Sequence, residues 1–110
     1  MKNSAIMSSN YTLCSNHSTL NREFHGVYAT DLLSAAIKHA EHQAALITLI
    51  SHDNTIACAM MIDCPLVIIT SGRVVTQSMI EQANQENICI LTTSLHTHEV
   101  IVDLFTRGLL

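Results

Sequence analysis

Side chains that could bind a ligand are concentrated in three short polar segments, each directly after an apolar run. These segments are residues 51–54 (SHDN), 70–72 (TSG) and 92–98 (TTSLHTH). Their hydroxyl, amide and imidazole groups can hold a small anion or orient a ligand by hydrogen bonds. The spacing therefore predicts that a binding site, if the chain has one, is assembled from these three segments.

Each segment also has a structural interpretation. His52 and Asn54 are candidate ligand-binding residues, while Asp53 or Asn54 would equally serve as the N-cap of a following helix. The segment Thr70, Ser71 and Gly72 is either an anion-holding turn or a tight connection between a strand and a helix. Thr92 and Thr93 are further candidates because they end the third apolar run.

The seven histidines raise the question of a metal site. His96 and His98 flank Thr97, and each pair of histidines would need a carboxylate to complete a site. The other pair is His39 with His42, and the neighbouring carboxylates are Glu99 and Glu41. Histidines without any such role are commoner, so neither a metal nor another cofactor is predicted. A metal-dependent enzyme built on His52, His96 and His98 is the minor alternative.

The sequence lacks the common motifs of nucleotide-binding, hydrolytic and thiol-dependent enzymes. The chain has three glycines and neither a GxxxxGK[ST] nor a GxGxxG loop, so it is not a kinase or an NTPase. No serine stands in a GxSxG turn, and no CxxC pair is formed by Cys14, Cys58, Cys64 and Cys89. We therefore expect a protein that is not an enzyme, with its cysteines as buried, reduced thiols.

Composition constrains the partners. Five scattered Lys and Arg residues and a net charge of −4 argue against nucleic-acid binding. No apolar run reaches the length of about 20 residues that a membrane helix needs, and the first residues do not look like a secretion signal. We expect a cytoplasmic protein without membrane contact. Hydrophobic residues make up 48% and charged residues 13% of the chain. Such a balance favours apolar contact surfaces and thus a homodimer.

The apolar pattern predicts the elements that position the polar segments. Runs at residues 44–50, 65–70 and 87–93 are typical of strands buried on both faces, with another strand near residues 24–28 and a short edge strand at 11–13. Helical periodicity follows each run. This alternation predicts an α/β three-layer sandwich with a small, mainly parallel sheet. Residues 1–20 are expected to be only partly ordered, and residues 21–110 to form the domain.

The helical segments have apolar faces that should pack on the sheet. Thr30 is the expected cap of the first helix, and Gly108 the expected stop of the last. Met60, Met61 and Met79 are interpreted as core residues. The remaining predicted face residues are Leu32, Leu33, Ala36, Ile37 and Ala40, then Ile56 and Ala57, then Ile80 and Ala83, and finally Val100, Ile101, Leu104 and Phe105.

Four segments in this order resemble the DRTGG domain family, most closely its small stand-alone members. A GYxxDLLS-like segment covers residues 26–34, a THxN-like loop residues 52–54, an IIxTxG turn residues 68–72, and a strand ending in ST residues 91–93. The resemblance extends from about residue 20 to the C-terminus. It adds Asp31 and Ser34 to the candidate ligand-binding residues. The name-giving Asp-Arg pair is not retained, and the Thr-Gly-Gly turn reads Thr70, Ser71, Gly72.

The resemblance implies a fold similar to the N-terminal domain of HPr kinase/phosphorylase, without its kinase loop. Related domains occur in phosphate acetyltransferases and in pyrophosphatases that carry CBS domains, where they look like regulatory or dimer-forming parts. The sequence thus favours a regulatory or sensor module, dimeric, that binds a small anionic metabolite, a nucleotide or a protein partner near the strand ends. A pure protein-interaction or scaffold domain is the alternative.

Overall fold

Five strands form a single sheet in the computed structural model, which describes all 110 residues. The strands are β1 (Thr12–Leu13), β2 (Val27–Ala29), β3 (Ala45–Thr48), β4 (Leu66–Ile69) and β5 (Cys89–Thr92). Their order across the sheet is β1-β5-β4-β3-β2. Strands β2 to β5 are parallel, and β1 pairs antiparallel to β5 with Thr12 opposite Thr92. The predicted mainly parallel sheet is therefore confirmed.

Four helices and the N-terminal segment cover the two faces of the sheet. The helices are α1 (Leu33–His39), α2 (Asp53–Met61), α3 (Gln77–Gln85) and α4 (Thr97–Thr106). Helices α1 to α3 connect successive neighbouring strands, and all three pack in the core on one face. Helix α4 follows the last strand and packs on the opposite face together with the N-terminal segment. The predicted three layers are thus present.

Both faces of the central strands are buried, as the unbroken apolar runs predicted. Leu46, Val67 and Ile90 point towards α1 to α3, while the alternate residues Ile68 and Leu91 point towards α4. All five side chains are fully buried. Burial of one such side chain contributes about 1.5–3 kcal/mol relative to leaving it in water. These strands therefore hold the polar segments at their carboxyl ends in fixed positions.

The N-terminal segment, expected to be only partly ordered, fills the second face of the sheet. It contains two 3-10 helices (Asn3–Ile6 and His17–Asn21) besides β1. Ile6, Tyr11 and Leu20 from this segment are buried against the sheet. The sequence shows no sustained period here because short 3-10 turns and a two-residue strand bury side chains at irregular intervals.

Some predicted core positions are wrong. Met61 is 69% exposed and Met60 is 42% exposed, whereas Met79 is fully buried as predicted. Helix α2 directs Ile56 and Ala59 towards the sheet, and Met61 lies about 140° around the helix from Ile56. The packed stripe of α2 is therefore narrower than the apolar sequence suggested.

The first and last helices also depart from their predicted faces. Helix α1 has seven residues and fully buries only Ala36, so Leu32 and Ile37 of its expected apolar face are exposed. It begins after Leu32, whose amide donates to the Thr30 hydroxyl at 3.0 Å, instead of after Thr30. On α4, Phe105 is 72% exposed. Leu32, Ile37 and Phe105 are exposed because only a few residues of each helix face the sheet. These buried residues are Ala36 on α1 and Val100 and Leu104 on α4.

The cysteines are free, and three of them are buried as predicted. Burial raises the pKa of the Cys64 thiol to about 12 and also raises the pKa of Cys58 and Cys89. Cys14, next to β1, is only half-buried. None of the helices has both the length and the apolar character needed to cross a membrane.

Candidate ligand-binding cleft

A cleft of about 280 Å³ opens at the carboxyl end of β5, beside the turn that follows β4. Its eight lining residues include no hydrophobic side chain. They are Ser9, Asn10, Thr12, Gly72, Arg73, Thr92, Thr93 and Ser94. Five of these residues carry hydroxyl groups, one carries an amide, and Arg73 is the only charged member. The cleft can therefore supply hydrogen bonds and one positive charge, and it offers little apolar contact.

The turn after β4 fixes the position of Arg73. Ser71 and Gly72 adopt positive φ angles of 64° and 69°. The Ser71 amide donates to the Leu95 carbonyl at 2.8 Å, and the Gly72 amide donates to the Thr93 carbonyl at 3.0 Å. Since both amides are already bonded, they do not form an anion cradle. Of the two interpretations of residues 70–72, this turn therefore fits the tight connection between a strand and a helix.

Arg73 differs from the other two arginines in its surroundings. Arg22 pairs with Asp63 at 3.4 Å, and Arg107 pairs with Asp103 at 2.9 Å. The exposed Arg73 guanidinium makes no hydrogen bond and no ion pair. Its five N–H donors are therefore open to a ligand, and their planar arrangement suits two oxygens of one phosphate or carboxylate.

Most of the polar side chains in the cleft are likewise unoccupied. Ser9, Thr12 and Ser94 are exposed, and their hydroxyls have no hydrogen-bond partner within the protein. The Thr93 hydroxyl accepts from the Leu95 amide at 3.1 Å, which leaves its own hydrogen without an acceptor. The Thr92 hydroxyl accepts only a weak bond from the Cys14 thiol at 3.7 Å. The cleft thus presents donors and acceptors in about equal measure.

Of the predicted binding residues, Gly72, Thr92 and Thr93 line this cleft, and the other six lie outside it. Asp31 fastens β2 to the end of β3, because its Oδ1 accepts from the Thr48 hydroxyl and from the Leu49 amide, both at 2.9 Å. The bonds of Asp31 to Thr48 and Leu49 give it a role in holding the edge of the sheet together. Ser34 is exposed on α1 and makes no side-chain hydrogen bond.

His52 and Asn54 belong to the beginning of α2. The Nδ1 atom of His52 accepts from the Asn54 amide at 3.1 Å, so His52 is itself the N-cap. Neither Asp53 nor Asn54 takes that role. Asp53 instead accepts from the Ser78 hydroxyl at 3.1 Å, and the Asn54 side chain is exposed without a partner.

Thr70 and Ser71 link the turn after β4 to α4. The buried Thr70 hydroxyl shares a 3.0 Å hydrogen bond with the Thr97 hydroxyl. The Ser71 hydroxyl shares a 3.2 Å hydrogen bond with Nδ1 of His96. Thr70 and Ser71 therefore hold the turn after β4 against the beginning of α4, next to the cleft.

The histidine pairs do not form a metal centre. His96 and His98 stack with their ring centroids 6.1 Å apart, and His42 lies 3.2 Å from Asp63. No group of three His, Cys, Asp or Glu side chains is placed to hold a metal ion. His52, His96 and His98 are therefore not gathered into one such group.

Sequence reasoning missed five of the cleft residues. Arg73 directly follows the predicted segment 70–72. Ser94 lies within the predicted segment 92–98 but was not singled out as a binding residue. Ser9, Asn10 and Thr12 gave no usable signal, because only the antiparallel pairing of β1 with β5 brings residues so distant in sequence to this edge.

The architecture defines an α/β domain whose polar cleft lies at the ends of its parallel strands. The DRTGG domain matches residues 7–105, and the chain belongs to the DRTGG domain family. Its fold resembles that of the CBS and DRTGG domains of the regulatory region of Clostridium perfringens pyrophosphatase, solved in complex with the activator diadenosine tetraphosphate. The TM-score is 0.71 at 14% identity over 88% of this chain, which spans 42% of that structure. No curated protein matches the sequence.

Proposed function

We propose that this chain is a non-catalytic regulatory module that binds a small anionic ligand in the cleft at the end of β5. The observation that carries the proposal is the unpaired Arg73 in a cleft lined only by polar residues and without a carboxylate. A lone guanidinium among hydroxyl groups attracts an oxyanion and has no acidic side chain to compete with it.

The second cleft of the molecule serves as an internal comparison. Its volume is about 160 Å³, and its walls include Ala59, Met60 and Ile88. The arginine there, Arg22, is already paired with Asp63, which also lines that cleft. Charge and polarity therefore favour the cleft at Arg73 as the anion site.

The comparisons support the regulatory part of this proposal. The similar pyrophosphatase region is a regulatory one, and its ligand is a polyanionic activator. A module of this kind would transmit ligand binding to a partner protein. Because α4 begins beside the cleft and packs on the sheet, it is the element through which occupancy could reach the outer surface.

Titration calorimetry with inorganic phosphate at constant ionic strength tests the proposal. We expect binding to the unaltered protein and a loss of affinity of about ten- to one-hundredfold in Arg73→Gln, because bonds to charged groups contribute about 1.5–3 kcal/mol. Lys38→Gln makes the same charge change on the exposed side of α1 and should bind as the unaltered protein does. Equal affinities in all three proteins, or no binding in any, would refute the proposal.

We propose in addition that the chain forms a cytoplasmic homodimer. Val102 and Phe105, one turn apart on α4, are 61% and 72% exposed. Large apolar side chains in such positions commonly mark contacts. A pure interaction domain is the second candidate function because of this surface. Sedimentation velocity should show a dimer that Phe105→Ser weakens, and a monomer at all concentrations would contradict this part.

A further inference from the structure

We infer that the ligand of the Arg73 cleft is a compact, hydroxyl-bearing phosphate ester of the sugar-phosphate type, and that a nucleoside base takes no part in its binding. This inference rests on the proposed function, since it concerns the same cleft. It follows from four properties of the site, namely its charge, its surface chemistry, its surroundings and its volume.

The charge of the cleft suits one phosphate group. Arg73 is the only ion among the lining residues, and its guanidinium is unpaired. One guanidinium can bond two oxygens of a single phosphate. A chain of several phosphates would need further cations, and the neighbouring lining residues Gly72 and Ser94 supply none.

The surface chemistry suits hydroxyl groups on the remainder of the ligand. Ser9, Thr12 and Ser94 have free hydroxyls, and Asn10 has a free amide. Hydroxyls and amides can both donate and accept, so they pair well with the alternating hydroxyls of a sugar or polyol. An apolar ligand would find no side chain in the cleft against which to pack.

The surroundings offer little aromatic surface on which a base could stack. Bases commonly stack on aromatic side chains. Phe24 and Tyr11 are buried in the core, and Tyr28 lies on β2 at the opposite edge of the sheet from β1. Phe105 is eight residues along α4 from Thr97, or about 12 Å away along the helix. His96 lies beside the cleft through its hydrogen bond to Ser71, but its ring stacks on that of His98 with the centroids 6.1 Å apart, so one face of each imidazole is already covered. No phenyl or phenol ring is available beside the cleft.

The volume sets a further limit. Clefts for drug-sized ligands typically measure about 300 Å³ or more. The Arg73 cleft measures about 280 Å³ and so lies just below that range. A cleft of this volume favours a small ligand such as a sugar phosphate over a larger one.

The test compares ribose 5-phosphate, adenosine 5′-monophosphate, ribose and inorganic phosphate by titration calorimetry on the full chain. Ribose 5-phosphate should bind about tenfold more tightly than inorganic phosphate, because each neutral hydrogen bond to a hydroxyl adds about two- to tenfold. Adenosine 5′-monophosphate should bind no more tightly than ribose 5-phosphate, and ribose alone should not bind detectably.

Two results would overturn the inference while leaving the proposed function intact. The first is adenosine 5′-monophosphate binding more than about tenfold tighter than ribose 5-phosphate, which would show that the base contributes. The second is equal affinity for ribose 5-phosphate and inorganic phosphate. Failure of every phosphate compound to bind would instead refute the proposed function itself.

Substitutions of exposed residues test whether the preference for ribose 5-phosphate over inorganic phosphate arises in the cleft. Ser94→Ala removes a free hydroxyl and should reduce the advantage of ribose 5-phosphate over inorganic phosphate by about two- to tenfold. Ser18→Ala, an exposed serine of the second 3-10 helix without a side-chain bond, is the control. An unchanged preference in Ser94→Ala, with the protein folded as judged by circular dichroism, would contradict the assignment.

Discussion

The amide of Gly72 donates a 3.0 Å hydrogen bond to the carbonyl of Thr93, which joins the turn after β4 to the end of β5. This bond forms because Gly72 adopts a positive φ of 69°. An added Cβ at this position would meet nothing within 4 Å. A substitution there thus tests the backbone conformation without a steric clash.

The backbone conformation of the turn leads to the first prediction. Gly72→Ala should lower the free energy of unfolding by about 1–2 kcal/mol, since residues with a Cβ disfavour the left-handed region by that amount. Urea denaturation at neutral pH measures the change. An unaltered midpoint would show that the turn relaxes to another conformation.

Ser71 provides a matched comparison because it is also left-handed, with a φ of 64°. Ser71→Gly and Ser71→Ala both remove the hydroxyl that meets His96, but only the glycine relieves the strain. Ser71→Gly should therefore be more stable than Ser71→Ala by about 1 kcal/mol. The reverse order would contradict a strained serine in this turn.

The sequence predicted the strands well because their residues face core on both sides. The runs around Ile47, Ile68 and Ile90 are unbroken and rich in β-branched residues, which no solvent-exposed element would tolerate. The helices were less well defined. Leu32, Met61 and Phe105 fit a helical period but face solvent. Periodicity alone cannot show how wide the contact with the sheet is.

The sequence indicated the edge of the sheet where the candidate cleft lies but only part of its lining. Parallel strands bring Thr70 and Thr93 to one edge, and the Arg73 cleft opens at that edge. Polar residues at such an edge also have structural tasks. Asp31 and His52 form hydrogen bonds within the fold, and only the distances show this. The contribution of Thr12 depends on a two-residue strand, which has too few residues to show a period.

Asp31 is the subject of the second prediction, which separates a structural role from ligand binding. Asp31→Ala leaves the buried Thr48 hydroxyl without its acceptor. The free energy of unfolding should fall by about 1–3 kcal/mol as a result. Asp31→Asn keeps an accepting oxygen and should cost less. Phosphate affinity should be unchanged in the folded variants, and a tenfold loss of affinity would place Asp31 in the binding site after all.

The third prediction concerns the N-terminal segment. The buried Asn3 amide donates to the carbonyls of Thr19 and Pro65, both at 3.0 Å, and so ties this segment to the start of β4. Asn3→Ala should destabilise the whole domain by about 1–3 kcal/mol, because the buried amide no longer bonds to the Thr19 carbonyl and the Pro65 carbonyl keeps only the Cys89 amide as its donor. Asn21→Ala, at an exposed position without a side-chain bond, is the matched control. Similar stabilities of both variants would mean that residues 1–20 add little to the fold.

Thiol accessibility is the basis of the fourth prediction. At pH 8 the folded protein should react rapidly with Ellman's reagent at Cys14 only, since burial raises the pKa of Cys58, Cys64 and Cys89 and shields them. Addition of urea should release the remaining three thiols. Cys14→Ser should abolish the rapid phase, whereas rapid reaction of a second thiol would show that one face of the sheet opens readily.

Tyr11 links the stability of the fold to alkaline pH. Its hydroxyl donates to Asp103 at 2.7 Å, and burial together with this carboxylate raises its pKa far above the ordinary value of 10. The folded state therefore keeps the phenol protonated at pH values where the unfolded chain already loses the proton. The stabilisation is complete below about pH 10 and declines as the pH rises above that value.

This behaviour gives the fifth prediction. Above about pH 10 the free energy of unfolding should fall by up to about 1.4 kcal/mol per pH unit from Tyr11 alone. Tyr11→Phe should be less stable than the unaltered protein at pH 7, because the Asp103 carboxylate loses a donor, and the difference should narrow between about pH 10 and 12. The buried thiols contribute to the same alkaline decline in both proteins, so only the difference between the two urea curves reports on Tyr11. A difference that stays constant across this range would show that the phenol ionises in the folded protein as it does in water, and the contact with Asp103 would then not fasten the N-terminal segment to α4.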